Sequence, residues 1–445
     1  MVMPGGAPAM PDSFKERLAR GVFSTVLRLA APAYFLRLFL RGRQEPLYAA
    51  HPAERFGFGA AIEPGSVWVH AVSLGETRAA AALVERLRQE RPGLRLLLTH
   101  TTATGREAGR ALLRDGDTQR WLPFDTPGAV RRFLRRTRPS VGVLMETEIW
   151  PNLQHEALKA GVPMMLANAR LSARSLRRGE KFKALLAPAA RSLRLALAQT
   201  AEDADRLRQA GVADVRVSGN LKFDLQPDEA LLARGRDWRA GLNRPVVMLA
   251  VSREGEEAAM LSAWQAATRA RAQAGSPLLL IVPRHPQRFD EIAAMVTEAG
   301  LTLARRSAFG SSDIATPPLS AGVADVWLGD SMREMALYYG LADVALLGGS
   351  FEPLGGQNLI ETAACGVPLF MGPHTFNFAE AAELSLQAGA ARRVQTLPQA
   401  LDDALALLTK PEEREAMAAA ATAFAAAHRG AAARMAAPIL ELAAA

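Results

Sequence analysis

Short apolar runs alternate with longer segments of helical periodicity through most of the chain. From residue 67 onward, these runs predict buried strands, and the segments between them carry apolar residues at helical spacing. In the N-terminal half the predicted strands are 67–72, 94–100, 141–145, 163–167 and 195–198. In the C-terminal half they are 246–251, 278–282, 326–328 and 344–347. Since continuous apolar strands that alternate with helices are typical of parallel sheets covered on both faces, the pattern predicts an α/β fold.

The strand–helix pattern occurs twice, with a polar and arginine-rich stretch between the two series. We therefore predict two Rossmann-like, doubly wound domains at 45–224 and 244–425, joined by a linker at 225–243. Ligands of such sheets bind beyond the carboxyl ends of the strands, so two facing domains predict a site in a central cleft. The alanine-rich segment 426–445 is predicted to be a helix or tail.

The N-terminal segment 1–44 is predicted to associate with a membrane. Its apolar run at 22–40 contains Arg28, Pro32 and Arg37. A transmembrane helix needs about 20 mostly apolar residues, and each central arginine costs at least about 2.5 kcal/mol on insertion scales. The pattern therefore favours an interfacial anchor with arginines reaching the headgroups. A single span remains open, and so does an ordinary amphipathic helix packed on the domain.

The composition of the chain indicates which classes of binding partner to expect. The net charge of +8 and a pI near 10.1 predict an anionic partner, such as a nucleotide phosphate or an anionic lipid. With only four tyrosines and no regular basic–aromatic interleaving, nucleic acid is not expected. The single cysteine, Cys365, excludes an intramolecular disulfide and suits a reducing compartment. No Cys/His cluster has zinc spacing, so we predict neither a metal nor another cofactor.

A glycine-rich stretch from Gly348 to Glu361 lies between a predicted strand and a predicted helix. Two glycine pairs there allow backbone N–H groups to approach an anion, and Glu361 can accept hydrogen bonds from ribose hydroxyls. The stretch therefore indicates a nucleotide site. A glycine-rich turn with a surface glutamate is the alternative on the glycines alone.

Charged side chains follow several of the predicted strands. Glu76 comes after the first strand, where it is a candidate general base, although Ser73 and Glu76 also match a helix capping box. Glu146 and Glu148 directly follow the strand 141–145. Lys222 and Arg284 are candidate cations for a phosphate or carboxylate.

Seven motifs in one order carry a family resemblance. They are HAVSLGET, METEIWPN, ANARLSARS, GNLKFD, VPRHPQRF, the GGS…GGQN loop and MGPHTFNF. Together they resemble the 3-deoxy-D-manno-octulosonic acid (Kdo) transferases of lipopolysaccharide synthesis, over most of the chain.

The resemblance implies an inverting GT-B glycosyltransferase without a metal cofactor. Its donor is CMP-Kdo, and its acceptor is a lipid A precursor at the cytoplasmic face of the inner membrane. Glu76 is implied as the general base, with Glu146 and Lys222 stabilising the transition state. The residues implied to contact CMP are Pro283, Arg284, Met332, Arg333, Glu334, Asn358, Leu359, Ile360 and Glu361.

The chain also departs from the family pattern. Gln357 and Arg253 each stand where histidine is usual, and Arg333 stands where glycine is usual. Leu359-Ile360 replaces a typical Pro-Leu pair. Two alternatives remain, a non-hydrolysing nucleotide-sugar epimerase and a catalytically silent GT-B membrane protein. The arginine-flanked N-terminus argues against the first, and the presence of Glu76 argues against the second.

Overall fold

The computed structural model describes residues 12–224, 226–269, 276–309 and 317–444. These residues divide into two compact units. The first unit contains the described residues up to Asp224 together with the segment from Arg429 onward, and the second contains the described residues between them.

The first unit is built on a parallel sheet in the order β3-β2-β1-β4-β5-β6-β7. Its strands are β1 (Val67–His70), β2 (Leu96–His100), β3 (Thr118–Trp121), β4 (Val141–Met145), β5 (Met164–Ala169), β6 (Leu195–Ala198) and β7 (Val215–Val217). Its first helices are α1 (Phe14–Arg41), α2 (Leu74–Glu90), α3 (Ala103–Gly109), α4 (Pro127–Thr137), α5 (Pro151–Lys159), α6 (Ala173–Glu180), α7 (Lys183–Ser192) and α8 (Ala201–Gln209).

The second unit repeats this architecture in the order β10-β11-β9-β8-β12-β13-β14. Its strands are β8 (Val246–Ser252), β9 (Leu278–Pro283), β10 (Leu303–Arg305), β11 (Val326–Leu328), β12 (Val344–Leu347), β13 (Leu369–Met371) and β14 (Ala391–Arg393). Its helices are α9 (Glu229–Gly241), α10 (Glu256–Arg269), α11 (Phe289–Glu298), α12 (Met335–Leu341), α13 (Leu359–Ala364), α14 (Ala379–Gln387), α15 (Leu397–Leu408) and α16 (Pro411–Ala427). The last helix, α17 (Ala431–Ala444), belongs to the first unit.

Successive side chains of the central strands enter opposite cores. In β1, Val67 and Val69 pack in the cluster that includes α2 and α17, whereas Trp68 packs in the cluster on the other face with Phe133 of α4. Burial on both faces explains why these strands are continuously apolar. The prediction of two doubly wound α/β domains is confirmed.

Each sheet has a topological switch point next to its first strand. In the first unit, β1 lies between β2 and β4, and the chain leaves β1 toward β2 before it returns to β4 on the other side. In the second unit, β8 lies between β9 and β12 in the same way. Because the loops that follow two such strands diverge, ligands of open α/β sheets bind at this position.

One segment differs from its description as a linker. The stretch 225–243 is not an irregular linker, because α9 occupies most of it and buries Leu232 and Trp238. A Cβ at Gly235 would lie 2.1 Å from the carbonyl oxygen of Leu337, so this helix packs closely on α12. The C-terminal segment 426–445, which was predicted to be a helix or tail, contains the helix α17, and Met435 and Ile439 of this helix are fully buried in the first unit. The arginines around the apolar positions of α9 obscure its periodicity in the sequence.

Helix α1 packs on the first unit along its length. Glu16 pairs with Arg191 at 2.8 Å, Ser24 Oγ donates to Asn152 Oδ1 at 2.9 Å, and Leu38 is buried. Among the described residues, α1 is the one helix long and apolar enough to cross a membrane by length and composition. Its large exposed side chains include Phe14, Leu18, Val22, Val26, Leu29, Leu36 and Leu40.

Candidate active site

Glu76 lies in the first turn of α2, directly beyond the carboxyl end of β1 and at the switch point of the first sheet. One carboxylate oxygen accepts a hydrogen bond from Val72 N at 2.8 Å, and the other accepts one from Ser73 Oγ at 2.9 Å. Ser73 Oγ in turn accepts from Glu76 N at 3.3 Å, so Ser73 is the N-cap of the helix. Glu76 is therefore held in one orientation by its own turn, and the cap and the carboxylate site coexist.

A cluster of three carboxylates forms at this switch point. Burial, and secondarily the charge of Glu146, raise the pKa of Glu76 above its usual value. Burial also raises the pKa of Glu148 to about 7, with a further contribution from the charge of Glu76. Glu148 accepts a hydrogen bond from Trp150 Nε1 at 2.7 Å. A carboxylate whose pKa approaches neutrality is suited to accept a proton from a hydroxyl.

Two residues at the carboxyl edge of this sheet have left-handed backbone. Glu146 after β4 has φ of 57°, and Asn168 in β5 has φ of 53°. The register between β5 and β6 shifts at this position. Non-glycine residues in this region carry strain of order 1 kcal/mol, and such residues cluster at functional sites. The backbone there turns Glu146 out of the strand while its N–H still donates to Ala167 O.

Lys222 lies in a short turn that Asn168 holds against the sheet. Asn168 Oδ1 accepts from Leu221 N at 3.0 Å, and Asn168 O accepts from Gln199 Nε2 at 3.0 Å. The side chains of Leu221 and Phe223 on either side of Lys222 are buried, so the position of the lysine is fixed from both neighbours. The predicted residues Glu76, Glu146 and Lys222 thus all follow strands of the first sheet, at the carboxyl ends of β1, β4 and β7.

The second sheet has a glycine-rich loop at the corresponding switch point. A Cβ at Gly348 would lie 2.4 Å from Val251 O, so only glycine permits this approach of the loops that follow β8 and β12. Gly355 and Gly356 have φ of 91° and 74°. The loop after β13 supports the turn, because Asn377 N donates to Gly355 O at 3.0 Å.

Glu256 fixes the glycine-rich loop through hydrogen bonds to its main chain. Its carboxylate accepts from Arg253 N at 2.9 Å, Gly349 N at 2.8 Å and Phe351 N at 3.3 Å, and its side chain is 1% exposed. Glu256 was not predicted as a functional residue from the sequence. The only signal available was the string Val251-Ser-Arg-Glu-Gly-Glu256, which resembles Val72-Ser-Leu-Gly-Glu76 in placing an acid at the start of the first helix of its sheet.

The residues predicted to contact CMP are distributed over three loops of the second unit. Pro283 ends β9, and the exposed Arg284 follows it, its N–H donating to Ser252 O at 3.0 Å. Met332 is exposed, whereas Glu334 pairs with the buried Arg306 at 2.9 Å. Because the carboxylate of Glu334 forms this ion pair, the side chain of Glu334 is held within the protein.

The third of these loops contains Asn358, which caps α13 by accepting a hydrogen bond from Ile360 N at 3.2 Å. Leu359 and Ile360 are buried in the core, so their side chains are not available to a ligand. Their predicted contacts with CMP are thereby restricted to the main chain. Glu361 is half-buried in the first turn of the same short helix.

Three departures from the family pattern have structural correlates. Arg333 has φ of 67°, a conformation that favours glycine, which explains why glycine is usual there. The other two departures lie together, since a Cβ at Gly349 would meet Gln357 Nε2 at 3.1 Å and Arg253 Cγ at 3.4 Å. The two positions that usually hold histidine therefore both lie next to the space that a side chain at Gly349 would occupy.

The side chains of the described residues include no group of three or more His, Cys, Asp or Glu arranged to hold a metal ion. Cys365 is buried, and burial raises the pKa of its thiol to about 12. It is a packed core residue, as its apolar surroundings in the sequence predict.

Comparison with known proteins shows to which family the chain belongs. The family model described as 3-deoxy-D-manno-octulosonic-acid transferase (kdotransferase) matches residues 50–225. The Kdo transferase of Bordetella pertussis is 50% identical over 427 residues, which cover 93% of this chain and 97% of the relative. The chain belongs to the Kdo transferase family. The Kdo transferase of Haemophilus influenzae is 34% identical and covers 89% of this chain and 92% of its own length.

A solved structure with a similar fold is that of an enzyme with a different activity. UDP-GlcNAc 2-epimerase from Neisseria meningitidis superposes with a TM-score of 0.55 over 84% of this chain and 99% of that chain, at 14% identity. At this identity the likeness concerns the fold alone. The Kdo transferase family is a family of glycosyltransferases, so the chain is a glycosyltransferase with a GT-B-type pair of doubly wound units.

Proposed function

We propose that this protein transfers Kdo from CMP-Kdo to a lipid A precursor, with inversion at the anomeric carbon. Membership of the Kdo transferase family supports the donor sugar and the reaction class. One observation carries the assignment of the reacting group. Glu76 lies at the switch point of the first sheet, fixed by Val72 N and Ser73 Oγ, with a pKa raised by burial and by Glu146.

In the proposed mechanism, Glu76 removes the proton from the attacking hydroxyl of the acceptor. The hydroxyl oxygen forms a bond to the anomeric carbon of Kdo while the bond from that carbon to the phosphate oxygen of CMP breaks. The electron pair of the broken bond leaves with CMP, and the proton remains on Glu76. A positioned general base of this kind contributes about 10²–10⁴-fold to the rate.

Cationic groups balance the negative charge of the donor. Kdo carries a carboxylate and departing CMP carries a phosphate, so we assign Lys222 and Arg284 to offset these charges. Burial is the main cause of the raised pKa of Glu76, and the charge of Glu146 adds to it. CMP is assigned to Pro283 and Arg284, to the segment from Met332 to Glu334, and to the N-terminal turn of α13 from Asn358 to Glu361.

The direct test is transfer by the purified full-length protein. Incubation with CMP-Kdo and a tetraacylated lipid A precursor is expected to increase the mass of the acceptor by one or more Kdo units and to release CMP. A folded protein that binds CMP but leaves the acceptor mass unchanged would contradict the proposal. Epimerisation of a UDP-sugar by the same preparation would favour the alternative that its fold relatives represent.

We further propose that α1 lies on the cytoplasmic surface of the inner membrane and does not cross it. Phe14, Leu18, Val22, Leu29 and Leu36 recur at helical spacing on one face and are all more than half exposed. The opposite face contacts the first unit from Glu16 to Leu38, which leaves no free segment long enough to span. An apolar stripe that the protein does not cover, flanked by arginines, fits the headgroup boundary of an anionic bilayer.

Membrane depth distinguishes the two arrangements of α1. Nitroxide labels on Leu18→Cys, Leu29→Cys and Leu40→Cys variants are expected at similar shallow depths in anionic vesicles, whereas a spanning helix would place position 29 deepest. A combined Leu18→Ser, Val22→Ser and Leu29→Ser variant is expected to lose flotation with the vesicles. The matched control is Val323→Ser, which removes an apolar side chain 78% exposed elsewhere in the protein.

A further inference from the structure

An open cavity of about 390 Å³ lies beside the carboxylate cluster of the first unit. Its floor consists of side chains that are almost fully buried, namely Leu166 of β5, Ala190 of α7, Leu207 of α8 and Val212. Ligand pockets commonly have volumes of about 300–1,000 Å³, whereas voids in close-packed interiors rarely exceed the size of a water molecule. The cavity is therefore large enough for a ligand and apolar where it is deepest.

The cavity is continuous with the loop that carries the carboxylates. Thr147 and Ile149, on either side of Glu148, both line it. Its floor residue Leu166 pairs with Leu144, the residue before the end of β4. A ligand part in the cavity would thus extend from the place where the acceptor hydroxyl must meet Glu76.

Helix α6 and the start of α7 make the entrance of the cavity cationic. Between residues 170 and 183 the chain has one acidic residue, Glu180, against six basic ones, which are Arg170, Arg174, Arg177, Arg178, Lys181 and Lys183. Arg170, Lys183 and Glu180 line the cavity and are exposed, so two basic residues and one acidic residue lie at its entrance. Helix α6 buries no residue fully, and Leu176 is half-buried on the cavity side.

We propose that this cavity binds one acyl chain of the lipid acceptor, with the acceptor's phosphate near Arg170 and Lys183. This inference rests on the proposed function, since it assigns a subsite to the same acceptor. An apolar floor beneath a cationic rim matches an anionic amphiphile whose chain is buried while its phosphorylated head stays at the surface. A polar sugar alone would leave the floor uncovered.

Filling the cavity tests the proposal. Gly179 of α6 has no left-handed backbone, and a Cβ there would make an ordinary contact with Leu186 at 3.6 Å, so Gly179→Leu fills the space without backbone strain. Ala187→Trp fills it from α7. The matched control is Ala184→Trp, at an exposed position of the same helix outside the cavity.

With the tetraacylated disaccharide bisphosphate, we expect both filling variants to increase KM at least about tenfold, with kcat little changed. This factor corresponds to an acyl chain that buries about two fewer methylene groups in the filled cavity. With the same disaccharide bisphosphate lacking acyl chains, we expect wild type and filling variants to have equal KM. The Ala184→Trp control is expected to behave as wild type with both acceptors. Equal effects on the two acceptors, or none on either, would overturn the proposal.

A photoreactive acyl chain locates the binding site without any transfer reaction. The acylated disaccharide bisphosphate carrying a diazirine is expected to label α6, α7 or the 147–149 loop, and Gly179→Leu is expected to remove this labelling. Labelling confined to α1, or equal labelling of the cavity by a photoreactive phosphatidylglycerol, would overturn the proposal. If the cavity is labelled while wild type transfers no Kdo, the proposed function fails and the lipid site stands.

Discussion

Glu76 and Glu256 occupy corresponding positions in two similar sheets, but they have different surroundings. Each lies in the first turn of the helix that follows the first strand, at the switch point. Glu76 is half-buried, and within the part of the chain that the structure describes its donors, Val72 N and Ser73 Oγ, belong to its own turn. Glu256 is fully buried, and two of its three N–H donors belong to the glycine-rich loop after β12.

This difference separates two uses of the same position. The carboxylate of Glu256 is surrounded by donors of the protein, so it organises a loop and does not face a substrate. The carboxylate of Glu76 is oriented but partly accessible, and burial, together with the charge of Glu146, raises its pKa. A switch point can therefore carry the reacting group in one sheet and shape a backbone cradle in the other.

Replacement of Glu76 is expected to have the largest effect. Glu76→Gln preserves the size of the side chain and can still accept from Val72 N, but it cannot take up a proton. We expect kcat to decrease about 10²–10⁴-fold with KM for CMP-Kdo nearly unchanged. Steady-state release of CMP measures both constants.

The matched control for Glu76 is Glu90→Gln, at the far end of the same helix, where Glu90 pairs with Arg86 on the surface. It is expected to leave kcat within about twofold of wild type, because surface ion pairs contribute little. If the Glu76→Gln protein kept full activity, Glu76 would not be the general base, and the proposed difference in role between Glu76 and Glu256 would be wrong.

Replacement of Glu256 is expected to affect donor binding and the loop more than the chemical step. Glu256→Ala leaves three N–H groups without their acceptor, which costs about 3 kcal/mol of stability in the second unit. We expect KM for CMP-Kdo to increase at least about tenfold, since 1.4 kcal/mol of binding energy corresponds to a factor of ten. Hydrogen exchange at Gly349 and Phe351 in the full-length protein is expected to accelerate.

The control is Glu254→Ala in the same turn, whose side chain is 54% exposed and pairs with the adjacent Arg253. Exchange at Gly349 and Phe351 is expected to match wild type. Unchanged exchange in Glu256→Ala as well would mean that the glycine-rich loop keeps its conformation without the buried carboxylate.

The two acids also differ in how the sequence reveals them. Glu76 was predicted because it follows an apolar strand in a recognisable motif. Glu256 was missed because its partners Gly349 and Phe351 lie 93 and 95 residues away in the chain, and no local pattern indicates such contacts. Its hydrogen bonds depend on β8 and β12 being neighbours in the sheet.

The strands show a similar division. Nine of the ten interior strands were predicted with their bounds, because burial on both faces makes them continuously apolar, and the exception is the three-residue β13. The four edge strands, β3, β7, β10 and β14, were missed, and each of them contains arginine. Edge strands that face solvent on one side carry charge, which blocks further pairing and removes the apolar run. The sheet edges are therefore where the sequence pattern is weakest.

The pH dependence tests which acid limits the reaction. Because the pKa of Glu76 is raised by burial, kcat is expected to decrease as the pH is lowered through that raised pKa, tenfold per pH unit below it. Burial raises the pKa of Glu256 as well. Glu256→Gln is expected to retain the acid limb of kcat, since the limb belongs to Glu76. If the acid limb of kcat disappears in Glu256→Gln, the limb belongs to Glu256 and not to Glu76.

The smallest expected effect concerns Glu148 and the stability of the first unit. Its pKa of about 7 lies above the unfolded value of 4.5, so the folded state binds the extra proton between these two pH values. Stability from this group is present below pH 4.5 and is lost as the pH rises through about 7. Glu148→Gln is therefore expected to gain on the order of 1 kcal/mol relative to wild type between pH 5 and pH 8. Denaturant unfolding of the full-length proteins at the two pH values measures this gain. A gain that decreases with pH would mean that the folded protein stabilises Glu148 as a carboxylate.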